Sequence, residues 1–410
     1  MQTRRAILAG TAALAASPAR GADDPFAPVD RLLAKLVSQE RLPCAAIRIA
    51  RHGRTLFEGH YSGRVKVGPG SLYRIYSMTK PVTACAVMAL CEDGKLSLET
   101  PVAELAPEFS ALTVMKSSPA DTEPARPMTV AHLLTHSSGI ASSWAGTALS
   151  PAYRKAGLDA GTWMFKPEIG GLAGFATRLA ALPLQFQPGD GWLYGFSHDI
   201  AGLVVERAAG EPFGAYLKRR LFQPMGMGDT DFSVATGQGG RLTDLYTWRS
   251  GAAYLVEAGA TSASLKPPAA ESGSAGLISS LEDYSRFAGM LAGGGTLGGT
   301  RVLKAETVAI MTRPYGPQNH VAEGLGKFAG FGLGGSGAGM GQAIGGVVAL
   351  DDQGGPGSRG EYSWGGAAST TFWSTPGSGL SVVVMTQLLP SGVVKLRDTL
   401  RPLVYGALKA

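Results

Sequence analysis

Leu72-Tyr73-Arg74-Ile75-Tyr76-Ser77-Met78-Thr79-Lys80-Pro81 is the stretch on which the fold turns. Five mostly apolar and aromatic residues lead into Ser77, and a helix is predicted from Pro81 to about Cys91, ended by Gly94. Pro81 fits there because a first-turn N–H needs no intrahelical partner. A spacing of three puts Ser77 and Lys80 on one helix face, a turn apart. An ammonium desolvated near the positive helix end gives up its proton more readily and becomes a base for the hydroxyl. This S-x-x-K occurs once, yet 32 serines and 13 lysines over 410 positions make about one expected by chance. An N-cap serine followed by a solvated lysine fits the same residues, so the motif alone leaves both open.

Composition narrows the class. The chain has 58 Gly and 25 Pro, with 45% hydrophobic and 17% charged residues. Disordered chains are poor in apolar residues and rich in charge, coiled coils need abundant charge, and collagen needs glycine every third position. A loop-rich globular protein remains. The formal charge is +6, of which Arg4, Arg5 and Arg20 supply three, so a chain without its first 22 residues carries about +3. The cations are scattered, with no block able to track a phosphate backbone, and no nucleic-acid partner is expected. Residues 1–22 read as an export signal: Thr3-Arg4-Arg5-Ala6-Ile7-Leu8 resembles a twin-arginine motif, followed by a short apolar run and small residues near Ala19 and Ala22. A periplasmic or secreted location is expected, with a frayed helix on a cytoplasmic enzyme as the alternative. No apolar stretch approaches the 18 residues of a membrane span. Cys44, Cys85 and Cys91 cannot all pair with one another and lack metal-ligand spacing, so buried free thiols are expected.

The two ends of the chain look alike. Val29, Leu32, Leu33, Leu36 and Val37 recur at helical spacing within 27–41, and 45–50 and 55–57 read as a hairpin. Thr370–Trp373 and Leu380–Leu388 read as two strands around Pro376-Gly377-Ser378-Gly379, followed by an amphipathic helix over Val393–Leu408. The prediction is an α+β fold: one antiparallel sheet built from both ends, flanked by the terminal helices, with a mostly helical region inserted. The sheet lobe spans about 23–75 and 290–410 and the helical lobe about 76–289, in a single catalytic domain over 23–410. Ser279-Ser280-Leu281-Glu282 reads as a capping box opening a helix through Leu291, ended by the glycines at 293–295.

Other chemistries lack their residues. No serine sits in G-x-S-x-G, and no phosphate-binding glycine loop or H-E-x-x-H occurs. His132 and His136, four apart, lack a third ligand and read as a helix end and its loop. No metal or cofactor is expected.

Tyr73 to Pro81 resembles the first signature of the class C β-lactamase and penicillin-binding-protein fold, and is especially similar to the family VIII carboxylesterases. Further segments follow in family order: Met128-Thr129-Val130 to Gly139, Gln187-Pro188-Gly189 to Tyr194, Leu221 to Met227, Ser274 to Ser280, and Tyr362 to Ala367. The resemblance implies Ser77 as nucleophile and Lys80 with Tyr194 as the acid/base pair. It also implies the backbone N–H groups of Ser77 and Ala367 as oxyanion hole, and Trp364, Gly365, Gly366 and Phe196 as substrate-binding residues. Two departures bear on substrate. Trp364 stands where a β-lactamase carries a lysine for the drug's carboxylate, and Phe196 where it carries an asparagine for the side-chain amide. Both favour an uncharged ester, so a serine carboxylesterase acting on short-chain esters through an acyl-enzyme is expected. The alternatives are a β-lactamase or D-amino-acid peptidase, an acyltransferase, and a non-catalytic ligand-binding relative. Loops around 141–175, 230–275 and 313–345 are expected to wall the pocket. Sixteen glycines among the 41 residues from Gly326 to Gly366 lead into the proposed oxyanion strand.

Overall fold

Alternating side chains at the two chain ends build a sheet that is covered on both faces. The computed structural model describes residues 24–159, 161–327, 337–352 and 355–409. Its centre is a seven-stranded antiparallel sheet of β1 (Cys44–Arg51), β2 (Arg54–Ser62), β3 (Met340–Ala343), β4 (Gly346–Ala349), β5 (Tyr362–Gly365), β6 (Thr371–Thr375) and β7 (Leu380–Met385). They lie in the order β3-β4-β5-β6-β7-β1-β2. The β1–β7 pairing, with Ile47 opposite Val384 and Ile49 opposite Val382, joins the two ends of the chain. Successive side chains of a strand point to opposite faces. Leu380, Val382 and Val384 therefore enter one apolar cluster while Val383 and Met385 enter the other. Burial on both faces explains why β7 reads as a nearly unbroken apolar run.

The framing helices are α1 (Ala27–Ser38), α2 (Thr79–Glu92), α3 (Ser197–Ala209), α4 (Leu281–Ala292) and α5 (Leu396–Ala407). Val29, Leu33 and Val37 of α1 and Leu400 and Val404 of α5 seal one sheet face against Ile47, Phe57 and Val382. Residues of α2 and α4 join Phe372, Val383 and Met385 on the other. The antiparallel sheet, flanking terminal helices and inserted helical region agree with expectation. The buried cluster beneath the sheet runs on through α2 into α3, the helix that follows directly on Tyr194 and Phe196.

Several boundaries differ, each for a local reason. The strand expected over 380–388 stops at Met385, and Leu388–Leu389 pairs in parallel with Leu245–Arg249 outside the main sheet. The Gln387 side-chain amide accepts from the Arg74 N–H at 3.2 Å and donates to the Arg74 carbonyl at 3.1 Å, drawing the chain away from β1. The α4 cap is displaced by one residue: the Ser280 hydroxyl accepts from the Asp283 N–H at 3.2 Å, while the Ser279 hydroxyl is engaged with Thr230 Oγ1 at 2.8 Å. The C-terminal helix begins at Leu396, three residues after the predicted start. α4, mostly within the stretch expected in the helical lobe, packs directly on the sheet. The middle, expected to be mostly helical, also holds hairpins at 113–124 and 245–257, the second within the loop expected over 230–275.

The three cysteines are free; Cys44 and Cys85 are buried as expected, and Cys91 is only partly so. The predicted export segment, residues 1–22, lies outside the described residues. No helix among the described residues is long and apolar enough to cross a membrane.

Candidate active site

A short strand, Leu72–Arg74, paired with Ile278–Ser280, delivers the chain to the nucleophile turn. Tyr76 adopts φ +44°, and Tyr76–Met78 forms a single 3-10 turn before α2 begins at Thr79. Ser77 thus stands just ahead of the helix and Lys80 in its first turn. The turn is pinned from outside: the Tyr284 hydroxyl donates to the Met78 carbonyl at 2.8 Å, and Thr79 Oγ1 accepts from the Leu277 N–H at 3.1 Å. Such fixed contacts let a sparsely populated backbone conformation persist beside a reactive group.

Three side chains meet at Ser77 Oγ. The Tyr194 hydroxyl donates to it at 2.6 Å, and Lys80 Nζ lies 3.3 Å away. Lys80 is only 2% exposed. Its ammonium also donates to the Ser274 carbonyl at 2.9 Å and sits 4.6 Å from the centroid of the Tyr194 ring. Tyr194 is held in turn among His136 (centroids 4.8 Å apart), Trp144 (5.5 Å) and Trp364 (5.8 Å). Gly195 allows the approach behind it, because a Cβ there would lie about 2.5 Å from the carbonyl oxygens of Ile140 and Ala141.

Ser77 opens into a cavity of about 730 Å³. Its apolar wall comes from Trp144, Trp163, Met164, Phe196 and Leu389, with Arg154 and Asp159 also on the lining. Phe196 packs edge-on against Phe175, centroids 5.3 Å apart. The structure therefore brings Ser77, Lys80, Tyr194, Phe196 and Ala367 to one cavity. Trp364, Gly365 and Gly366, expected to bind substrate, lie off its lining. Trp364 is 1% exposed and stacks on His136, so its side chain supports Tyr194 from behind. At Gly366 a Cβ would collide with the Ile75 carbonyl and the Thr370 hydroxyl; glycine lets the end of β5 press on the nucleophile turn and carry Ala367 to the cavity. The expected loops near 141–175 and 230–275 supply wall residues. The loop at 313–345 supplies none among its described residues.

His198, not singled out in the sequence, lies beside His136, which was read only as the loop beyond a helix end. His136 and His198 are both buried, with ring centroids 4.9 Å apart. Among the described residues none of their ring nitrogens has a hydrogen-bond partner. Burial and the nearby Lys80 charge hold both imidazoles well below their ordinary value of 6.5, with His136 adding to the effect on His198. His132, by contrast, closes a helix cap, Nδ1 accepting from the Thr129 N–H at 3.1 Å. That is the helix-end use expected of it.

A pH consequence follows. The unfolded chain binds these protons near 6.5 and the folded chain does not, so the stability they contribute is fully present above 6.5 and is lost as pH falls. Each histidine removes up to about 1.4 kcal/mol per pH unit below that point. The buried Asp199 carboxyl, pushed up by burial, works in the opposite sense at lower pH. Melting temperature between pH 7.5 and 5.5 is expected to fall, and His198→Phe to flatten that slope. An unchanged slope in the variant contradicts the assignment.

The chain resembles known proteins along most of its length. Residues 29–405 match the family model described as Beta-lactamase. The chain is 30% identical over 404 residues to "Esterase EstB" of Burkholderia gladioli, covering 92% of this chain and 94% of that protein. It is 32% identical over 313 residues to "Lovastatin esterase" of Penicillium rubens, covering 72% and 74%. Among solved structures, "EstCE1, a hydrolase with promiscuous acyltransferase activity" superposes with a TM-score of 0.76 at 23% identity, over 94% of this chain and 99% of that one. At that identity the likeness is one of fold.

Proposed function

The chain belongs to the Beta-lactamase family, and from that premise we propose that it is a serine carboxylesterase acting on small uncharged esters. One observation carries the proposal: Lys80 and Tyr194 converge on Ser77 Oγ at the floor of a largely apolar cavity. Ser77 attacks the ester carbonyl while the Lys80–Tyr194 pair, which has first released one proton to solvent, takes the serine proton. The developing oxyanion is received by the N–H groups of Ser77 and Ala367, and among the described residues neither donates to a protein acceptor. Tyr194 protonates the departing alcohol. Water, activated by the same pair, then hydrolyses the acyl-enzyme.

Phe196 on the lining supports esters over β-lactams and peptides, as does the strand position where a lysine would hold a carboxylate: it carries Trp364, buried off the lining, and supplies no cation to the cavity. Acyl transfer to a second alcohol shares the acyl-enzyme, and the name of EstCE1 supports it as a side reaction. A fluorophosphonate is expected to add its phosphonyl mass to Ser77, and p-nitrophenyl butyrate to turn over at least about 100-fold faster than nitrocefin. Absence of labelling overturns the serine mechanism; faster nitrocefin turnover overturns the substrate class. Export to the periplasm or beyond is part of the proposal, supported by the twin-arginine resemblance at Thr3–Leu8. Retention of an Arg4→Lys/Arg5→Lys double variant in the cytoplasm, beside an exported parent, tests it.

A further inference from the structure

Lys80 keeps its place partly through a backbone carbonyl, so what holds that carbonyl matters. The Ser274 oxygen accepts from Lys80 Nζ at 2.9 Å, while the N–H of the same residue donates to Asp199 Oδ1 at 3.1 Å. The Ser272 hydroxyl donates to the same Oδ1 at 2.5 Å, and its oxygen accepts from the N–H groups of Ser274 and Ala275. From α2, Thr83 Oγ1 donates to the Gly273 carbonyl at 2.8 Å, clamping the turn from its other side. Asp199 stands in the first turn of α3, five residues after Tyr194, and is fully buried. It borders the catalytic cavity, and Oδ2 has no hydrogen-bond partner among the described residues. Nothing in the proposed chemistry uses it.

We propose that Asp199 is a positioning residue for the Ser77–Lys80–Tyr194 site: its carboxylate fixes the Ser272–Ser274 turn whose carbonyl holds Lys80, and sets a buried negative charge near the ammonium. The inference rests on the serine-hydrolase reading. A buried carboxylate needs hydrogen bonds and a counter-charge. Ser272 and Ser274 supply the bonds. Lys80 supplies the charge, which opposes the upward push of burial on the Asp199 carboxyl. The other titratable groups around it do not compete for that role. His136 and His198 are held neutral, Tyr194 is engaged with Ser77, and Arg154 and Asp159 lie elsewhere on the cavity lining.

The test is the pH dependence of Ser77 labelling by a fluorophosphonate, which needs no knowledge of the natural ester, with melting temperature recorded for each protein. Asp199→Asn keeps an oxygen for both serine donors but removes the charge. Its plateau rate stays within about 10-fold, and its acid limb moves to lower pH by about one unit, because the amide no longer favours a proton in the site. Asp199→Ala loses about 100-fold at the plateau as the turn loosens. Ser272→Ala keeps the charge, so its limb stays in place while its plateau falls several-fold. An Asp199→Asn limb that does not move, in a wild type that labels normally, overturns this proposal alone and does so whether or not Asp199→Ala folds. A wild type that does not label at Ser77 overturns the serine-hydrolase reading and this proposal with it.

Discussion

Ser77→Ala lowers kcat/KM for p-nitrophenyl butyrate by at least about 10⁴-fold, Lys80→Ala by about 10³- to 10⁴-fold, and Tyr194→Phe by about 10²- to 10³-fold. The ordering follows from what each removes. Without Ser77 there is no acyl-enzyme. Without Lys80 the serine loses one of the two groups able to take its proton, and Tyr194 loses the ammonium 4.6 Å from its ring centroid. Tyr194→Phe removes only the oxygen 2.6 Å from Ser77 and leaves the ring packed among His136, Trp144 and Trp364. Its melting temperature is therefore expected to match the wild type, which separates lost chemistry from lost structure. The three act as a unit, so adding Tyr194→Phe to Ser77→Ala costs nothing further. Steady-state rates of the single and double variants check this; losses that multiply in the double variant would refute a shared role.

What the sequence disclosed about this site depended on whether chemistry lay in the chain's local order. Ser77 and Lys80 are three apart, and their helix is marked by Pro81 and Gly94, so residue order suffices to place them together. Tyr194 is 117 residues away from Ser77 and was reachable only through resemblance. Trp364 was located on the right strand but assigned the wrong surroundings: strand alternation is legible, but which face the cavity occupies is not, and its indole turns out to back His136. Asp199 and Ser274 act through a backbone carbonyl, which carries no residue signature at all. His136, read as the loop beyond a helix end, does follow one, but its ring contacts with Tyr194, His198 and Trp364 come from distant segments and were not legible. In the fold, the β1–β7 junction of the chain ends was legible because both faces of the sheet are apolar. The displaced strand end at Met385 was not, because it depends on a side-chain amide of Gln387 substituting for a backbone partner of Arg74.

Glu361→Ala destabilises the protein by about 3–5 kcal/mol, the cost of leaving buried charge without its partner. Glu361 directly precedes β5 and is fully buried. Arg397, Arg401 and Tyr405 stand four residues apart on one face of α5 and all converge on its carboxylate. Arg397 donates to Oε1 at 2.5 Å, and Arg401 and Tyr405 each donate to Oε2 at 2.9 Å. Both guanidiniums are themselves buried, Arg397 at 3% and Arg401 at 8% exposure. Removing the carboxylate strands two cations at the seam between the C-terminal helix and the strand that leads to Ala367. Because breaking such a network and replacing it are different operations, the triple variant Glu361→Leu/Arg397→Met/Arg401→Met is expected to recover most of the lost stability. Chemical denaturation of the single and triple variants distinguishes the two costs. A triple variant as unstable as Glu361→Ala would mean that the network's geometry, and not its charge balance, holds α5 to the sheet. Where the single variant remains folded, its kcat for p-nitrophenyl butyrate is expected to fall with its stability. β5 delivers Ala367 to the cavity through Gly366, and a helix that frays from Glu361 loosens that strand at its entry end.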